Sequence, residues 1–328
     1  MATINRIPQV LTHEGGRAVR IHPVAQLERS VMSCLLWEDE FYEEGESIAS
    51  RIQALCAQVP AAEVVRIAIQ AKEEMRLRHV PLLLARELAR TEQGRAQMKH
   101  VLPRVIVRAD DILEFLAIYW KDNQDESLAK QIKLCLGETF RKFDEYQLAK
   151  YSGGQKAVTL RDAIRILRPK PANDEQAALW GRLVKGELAT PDTWEVELSR
   201  SSDKKASWTR LLSEGKLGGL AMLRNLRNMT QAGVDDNLIR EGIAAVKAGR
   251  LLPIQFIAAA RHNPQFEREL EAKFFECFVG KRHLSGETII LVDVSGSMDN
   301  PLSSKSKLSQ LDVACALAMI GHEMFANL

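Results

Sequence analysis

The sequence predicts a mainly α-helical chain, an α-solenoid of stacked helix pairs, that ends in one strand–loop–helix unit of α/β character. Three observations predict it. From about Gln26 to Gly280, apolar residues recur three and four positions apart, with Gly, Pro and Asn as punctuation and no convincing strand between them. At Gly286 the pattern changes, and Thr288 to Val292 form a continuous apolar, mostly β-branched run of strand length. A polar loop and an apolar-all-round helix over about Ser309 to Phe325 follow. The expected domains are therefore residues 1–285, all helical, and 286–328, a single βα unit. Because an independent α/β domain needs roughly 100 residues, that second domain is expected to be incomplete.

Taken in order, helices are expected at Ala61 to Arg78, Pro81 to Arg90, Asp110 to Trp120 and Glu126 to Phe143. In the last, Leu128, Ile132, Leu136, Phe140 and Phe143 make one stripe for burial. Shorter helices are expected at Thr159 to Arg168, Asp174 to Lys185, Ala206 to Glu214, Leu217 to Met229, Asp236 to Ala248, Leu252 to Arg261 and Pro264 to Phe278. Helices this modest bury their apolar faces by stacking in pairs, although no repeat period is legible in the sequence.

Over 328 residues, 46% hydrophobic and 27% charged residues describe a globular chain and exclude disorder as the main state. The net charge of +2 demands no chain-wide polyanion partner, so any basic surface must be local. The five cysteines, Cys34, Cys56, Cys135, Cys277 and Cys315, form no C-x-x-C and suggest neither a disulfide framework nor a zinc site. A reducing, cytoplasmic setting fits this usage. The start lacks a basic-then-apolar signal pattern, and no apolar run approaches the roughly 20 residues that span a bilayer.

Two constellations carry chemistry. The loop after the expected strand holds Asp293, Ser295 and Ser297, one carboxylate and two hydroxyls, which are hard oxygens suited to Mg²⁺ or another divalent cation with retained waters. This D-x-S-x-S pattern after an apolar strand resembles the metal-ion-dependent adhesion site of von Willebrand factor A domains. The likeness covers only the first strand, loop and helix, and it implies an adhesion-type metal site lacking the ligands that later loops supply.

The second constellation is electrostatic. Lys150, Lys156, Arg161, Arg165, Arg168 and Lys170 face one acid, Asp162, within the same stretch. Thr159 and Asp162 read as a helix cap and its partner, with Pro169 and Pro171 ending a helix of about ten residues. Arg161, Arg165 and Arg168 then fall on one exposed stripe, beside a core-facing stripe of Leu160, Ile164 and Leu167. Guanidinium groups in a row are placed to bind phosphates along a nucleic-acid backbone. A solvated basic face is the other reading, and composition does not choose between them. Tyr151 is the one aromatic in this stretch that could stack on a base.

The run Thr159 to Pro171, with Leu220 to Met229 (LAMLRNLRNM) and Leu252 to Asn263 (LPIQFIAAARHN), is similar to the TROVE module of Ro autoantigen-like ribonucleoproteins. Such proteins join a TROVE module to a von Willebrand A domain, the succession read above. The resemblance implies a ring of HEAT-like helix pairs that binds small structured noncoding RNA of the Y type on an outer basic surface. Single-stranded ends of misfolded RNA would enter its central hole. It places the first role on the six basic residues just named. Arg224 and Arg227 are lesser candidates, since Leu220, Leu223, Leu226 and Met229 take the core side of that helix and its Asn residues read as satisfying backbone groups. Arg261 and His262 are further candidates, but basic residues at a helix C-terminus also favour its dipole. Arg76, Arg78 and His79 form a smaller basic group with Glu73 and Glu74 beside it.

No catalytic arrangement stands out: the seven histidines and the serines lie in no hydrolase or metalloprotease spacing. The sequence thus reads as a monomeric, non-enzymatic RNA-binding scaffold for RNA quality control or processing, with a nuclease as a possible further partner. The alternative is a helical-repeat protein-interaction module with a metal-dependent partner contact through the Asp293 loop.

Overall fold

The structure is a computed structural model that describes residues 16, 21–34, 45–121, 127–153, 158–302 and 308–327. It divides into two compact units, residues 1–191 and 192–328. This division falls inside the helical region rather than at the composition change near residue 286.

The first unit contains α1 (Pro23–Ser33), α2 (Gly45–Cys56), α3 (Ala61–Glu73), α4 (Val80–Arg90), α5 (Glu92–Val105), α6 (Ala109–Trp120), α7 (Lys130–Phe140), α8 (Glu145–Tyr151), α9 (Leu160–Leu167) and α10 (Asp174–Lys185). Contacts run between neighbours and next-neighbours in sequence, α3 with α4 and α5, α4 with α6, α5 with α7, and α9 with α6, α7 and α10. That is the packing of stacked helix pairs. Of the predicted stripe on α7, Ile132, Leu136, Phe140 and Phe143 are buried, while Leu128 is half-buried before the helix begins. The α5 helix was not legible because Pro103 lies within it. Pro103 cannot donate to the Lys99 carbonyl, and the Lys142 ammonium donates to the Pro103 and Ile106 carbonyls at the helix end.

The second unit contains α11 (Trp194–Arg200), α12 (Lys204–Ser213), α13 (Gly219–Gln231), α14 (Asp236–Ala244), α15 (Pro253–His262), α16 (Glu267–Glu276), β1 (Leu284–Glu287), α17 (Gln310–Met324) and β2 (Phe325–Asn327). Its core is built around Trp208, Leu211, Met222, Leu226, Met229, Ile243, Phe256 and Phe274. Three of the four α13 core positions are buried as expected, with Leu220 at the edge.

The expected strand at Thr288 to Val292 is corrected by the structure. The paired strand is β1, upstream of it, which runs parallel to β2; pairing ends as the Thr288 N–H donates to the Asn327 carbonyl. Thr288, Ile290 and Val292 are half-buried, and Gly321 of α17, lacking a side chain, lets Ile290 close on that helix. Ile289 and Leu291 on the other face are 87% and 92% exposed. A run apolar on both sides needs sheet neighbours and a layer on each face. Among the described residues only one short strand and one helix are supplied.

Candidate functional site

The α9 helix forms as its capping residues dictate. Thr159 Oγ1 accepts the Asp162 N–H at 3.2 Å, while Asp162 Oδ2 accepts the Thr159 N–H at 3.0 Å, a reciprocal capping box. Leu160, Ala163 and Leu167 are buried and Ile164 is half-buried, so Arg161 and Arg165 are turned outward together. The helix is shorter than expected. It ends at Leu167, and Arg168 caps it in the left-handed conformation at φ 46°, ψ 55°, its N–H donating to the Ile164 carbonyl. Pro169 cannot continue the ladder, so the chain turns out one residue early. Arg168 therefore extends the basic row as the cap beyond the helix rather than as a third helical position.

Arg161, Arg165, Arg168, Lys170 and Lys150 are exposed and make no ion pair among the described residues. Lys156 lies outside the described residues. Asp162 is the one acid within the stretch, and its hydrogen bonds from Thr159, helped by Arg165 and Arg161, hold its carboxyl below the usual range. It stays ionised, but its partner is the cap and not a guanidinium. Arg161 and Arg165 line a cavity of about 670 Å³ whose other walls include Thr159, Asp162, Gly186 and Leu188. Lys170 is fixed through its backbone, whose carbonyl accepts from Arg141 Nε at 2.6 Å.

Tyr151 is half-buried with the Arg108 guanidinium 4.6 Å from its ring centre, and burial raises its hydroxyl pKa. Tyr146, one turn earlier on α8, is 48% exposed with the Lys150 ammonium 5.9 Å from its ring centre. The four-residue spacing of Tyr146 and Lys150 was the sequence signal for this exposed pair.

Of the Arg76, Arg78 and His79 group, Arg78 and His79 face carboxylates. Arg78 Nη2 lies 2.6 Å from Asp110 Oδ2, and His79 faces Glu114 at 4.0 Å. Arg108 also grips Asp110, while Lys72 meets the fully buried Asp111 at 3.1 Å. Burial lowers the Lys72 pKa, with Asp111 opposing that shift.

In the second unit the structure brings together what the sequence kept apart. Arg224 and Arg227 of α13 and His262 of α15 line one cleft of about 410 Å³ with Gln255 and Asn263. All three basic side chains are exposed and have no ion pair among the described residues. Asn225 and Asn263 are buried and donate to the Ala221 and Ala259 carbonyls, the structural role expected of such residues. Arg261 departs from this group: its Nη1 lies 3.3 Å from Asp312 Oδ1, tying α15 to α17.

Asp293, Ser295 and Ser297 are exposed on the loop before α17. Asp293 Oδ1 accepts the Ser295 N–H at 2.8 Å, which holds the carboxyl below its usual range, and the two serine Oγ atoms are 3.0 Å apart. One carboxylate and two hydroxyls are the hard-oxygen donor types that a divalent cation takes. Among the described residues, no group of three or more His, Cys, Asp or Glu side chains is placed to hold a metal. No disulfide joins the five cysteines. Burial pushes the Cys56 thiol up to about 12 and raises that of Cys135, away from nucleophile character. No helix among the described residues is long and apolar enough to cross a membrane.

These features define a class: a protein of stacked helix pairs with uncompensated basic clefts on a mainly α frame. The particular likeness is to TROVE-domain proteins, since residues 175–276 match the model of the TROVE domain family. Two of the three motif runs, Leu220 to Met229 and Leu252 to Asn263, lie inside that stretch, and Thr159 to Pro171 precedes it. Telomerase protein component 1 of Mus musculus is 34% identical over 92 residues, and that of Rattus norvegicus 33%. Each match covers 26% of this chain and 4% of the relative. The crystal structure of the Deinococcus radiodurans Ro (RSR) protein matches with a TM-score of 0.62 at 20% identity, covering 93% of this chain and 74% of that one. The fold is therefore shared with the Ro protein across nearly the whole chain.

Proposed function

We propose that this chain is an RNA-binding ribonucleoprotein component that holds small structured RNA by its phosphate backbone. One observation carries the reading: Lys150, Arg161, Arg165, Arg168 and Lys170 are exposed within one stretch and have no carboxylate partner among the described residues. Free cations in a row release condensed counterions when they meet phosphates, and that term supplies most sequence-independent affinity. The likeness to a TROVE domain and to the Ro fold points to the same ligand class.

In this reading the first-unit surface takes structured noncoding RNA of the Y type. The cleft of Arg224, Arg227 and His262 takes single-stranded ends, and Arg261, committed to Asp312, is a secondary contact. Ring closure of the helix pairs, a monomeric state, cytoplasmic residence, and service in RNA quality control beside a nuclease partner belong to the same proposal. So does a von Willebrand A-type identity for residues 286–328, with Asp293, Ser295 and Ser297 as the residues that would hold Mg²⁺. The bound ion would supply a positive anchor for a partner's carboxylate.

Protein purified without nuclease is expected to carry nucleic acid, seen as a raised ratio of absorbance at 260 and 280 nm that ribonuclease abolishes. Protein free of nucleic acid that captures a protein partner only with Mg²⁺, and loses it on Asp293→Ala, would favour the interaction-module reading instead.

A further inference from the structure

The cavity beside α9 is more than a flat basic strip requires. At about 670 Å³ it is in the range of small-molecule sites, roughly 300 to 1,000 Å³. Its walls have three chemistries. Arg161 and Arg165, one helical turn apart, supply two guanidinium groups with no ion pair among the described residues. Leu188, Ala189 and Pro191 supply an apolar side. Asp162 supplies a carboxylate whose Oδ2 is taken by Thr159, leaving Oδ1 as an acceptor without a partner among the described residues.

Gly186 shows that the arginine belongs to this space. It caps α10 at φ 80°, and a side chain there would come within 3.1 Å of Arg161 Nη2. The missing side chain leaves the room that the guanidinium occupies.

Each wall excludes some ligands. An inorganic anion would satisfy the arginines but leave Asp162 opposing it and the apolar side wet. A neutral nucleoside would leave both guanidinium groups unmatched. A ligand with a phosphate, a hydroxyl-bearing sugar and a flat apolar face matches all three at once. We propose that this cavity binds one nucleoside monophosphate unit, its phosphate on Arg161 and Arg165, a ribose hydroxyl donating to Asp162, and its base against Leu188, Ala189 and Pro191. The unit comes either from a free nucleotide or from the 5′ end of an RNA. The inference rests on reading this surface as a phosphate-binding one, but it concerns a pocket rather than a backbone track.

The test is calorimetric titration of the full chain, freed of nucleic acid, with AMP, 2′-deoxy-AMP, adenosine and inorganic phosphate. AMP is expected to bind one to one and about tenfold or more tighter than either adenosine or phosphate, because both charge-assisted bonds and apolar contact are needed. Deoxy-AMP should bind more weakly than AMP. Arg161→Gln and Arg165→Gln, both surface changes, should each weaken AMP about tenfold, one charge-assisted bond being lost.

Two hairpin RNAs differing only in a 5′-monophosphate or 5′-hydroxyl separate the sources. A preference for the phosphorylated hairpin that Arg161→Gln removes assigns the site to an RNA end; equal hairpin affinities with intact AMP binding assign it to a free nucleotide. AMP binding no tighter than phosphate, or binding unchanged by both substitutions, would overturn the proposal. Hairpins that fail to bind while AMP binds would instead overturn the RNA reading alone.

Discussion

Two groups of three cations in the first unit meet opposite fates. Lys72, Arg78 and Arg108 converge on Asp110 and Asp111 at the start of α6, where the carboxylates are 4% and 0% exposed. Arg161, Arg165 and Arg168, on and just after α9, meet no carboxylate within ion-pair distance among the described residues. The first group is a structural device. It lets two acids occupy the interior, with the Val107 and Arg108 N–H groups donating to Asp111 at 3.0 and 3.1 Å. The second has its charge left over, which is what a polyanion requires. Basic residues are equally visible in both stretches of sequence. What separates them is where the acids come from: Asp110 is 32 positions from Arg78 in the chain.

The sharpest way to break the comparison is Asp111→Ala. It strands the Lys72 ammonium in the interior and removes the acceptor for two backbone donors, so unfolding in urea should show a loss of about 3–5 kcal/mol. RNA affinity of the protein that remains folded should not change.

Arg168→Gly should move stability and binding in opposite directions. A non-glycine residue in the left-handed region costs about 1–2 kcal/mol, part of which glycine returns as added freedom of the unfolded chain, so a net gain of roughly 0.5–1 kcal/mol in urea is expected. The salt dependence of RNA binding should flatten by about 0.7–0.9, one phosphate contact.

The smallest effect concerns the second unit, where Asp192 accepts from Arg210 and from Lys216. Those two hydrogen bonds lower its pKa to about 2. The unfolded chain, with an ordinary aspartate near 3.9, takes up the proton first on acidification. The contribution is therefore full above about pH 4 and is lost as pH falls toward 2. Because Asp192 is exposed, Asp192→Asn should remove only a small part of the acid sensitivity, read as a slightly flatter plot of melting temperature against pH below 4.

Local signals made much of this legible. The periodicity of α4, α6 and α7 and the Thr159–Asp162 cap of α9 are written within a few residues, and the helices follow them closely. The rest depends on chain segments that meet only after folding. The cavity beside Arg161 needs the stretch from Leu183 to Pro191, and the withdrawal of Arg261 needs Asp312 of α17. The gathering of Arg224, Arg227 and His262 needs α13 to pack on α15. The surroundings of Tyr151 were hidden for the same reason, since Arg108, whose guanidinium lies over its ring, comes from the start of α6. The displaced strand has a related cause: the run after Gly286 is apolar enough for a buried sheet, but pairing goes to whichever backbone β2 presents.

The central claim is that uncompensated guanidinium groups of one short stretch dock phosphate. Its most direct test is the slope of log K against log salt for a structured small RNA, compared with the Arg161, Arg165 and Arg168 to Gln triple variant. The five exposed cations together with Lys156, each on one phosphate, predict a slope of about −4 to −5, flattened by about two to three units in the variant. Identical slopes and affinities for the two proteins would contradict the claim.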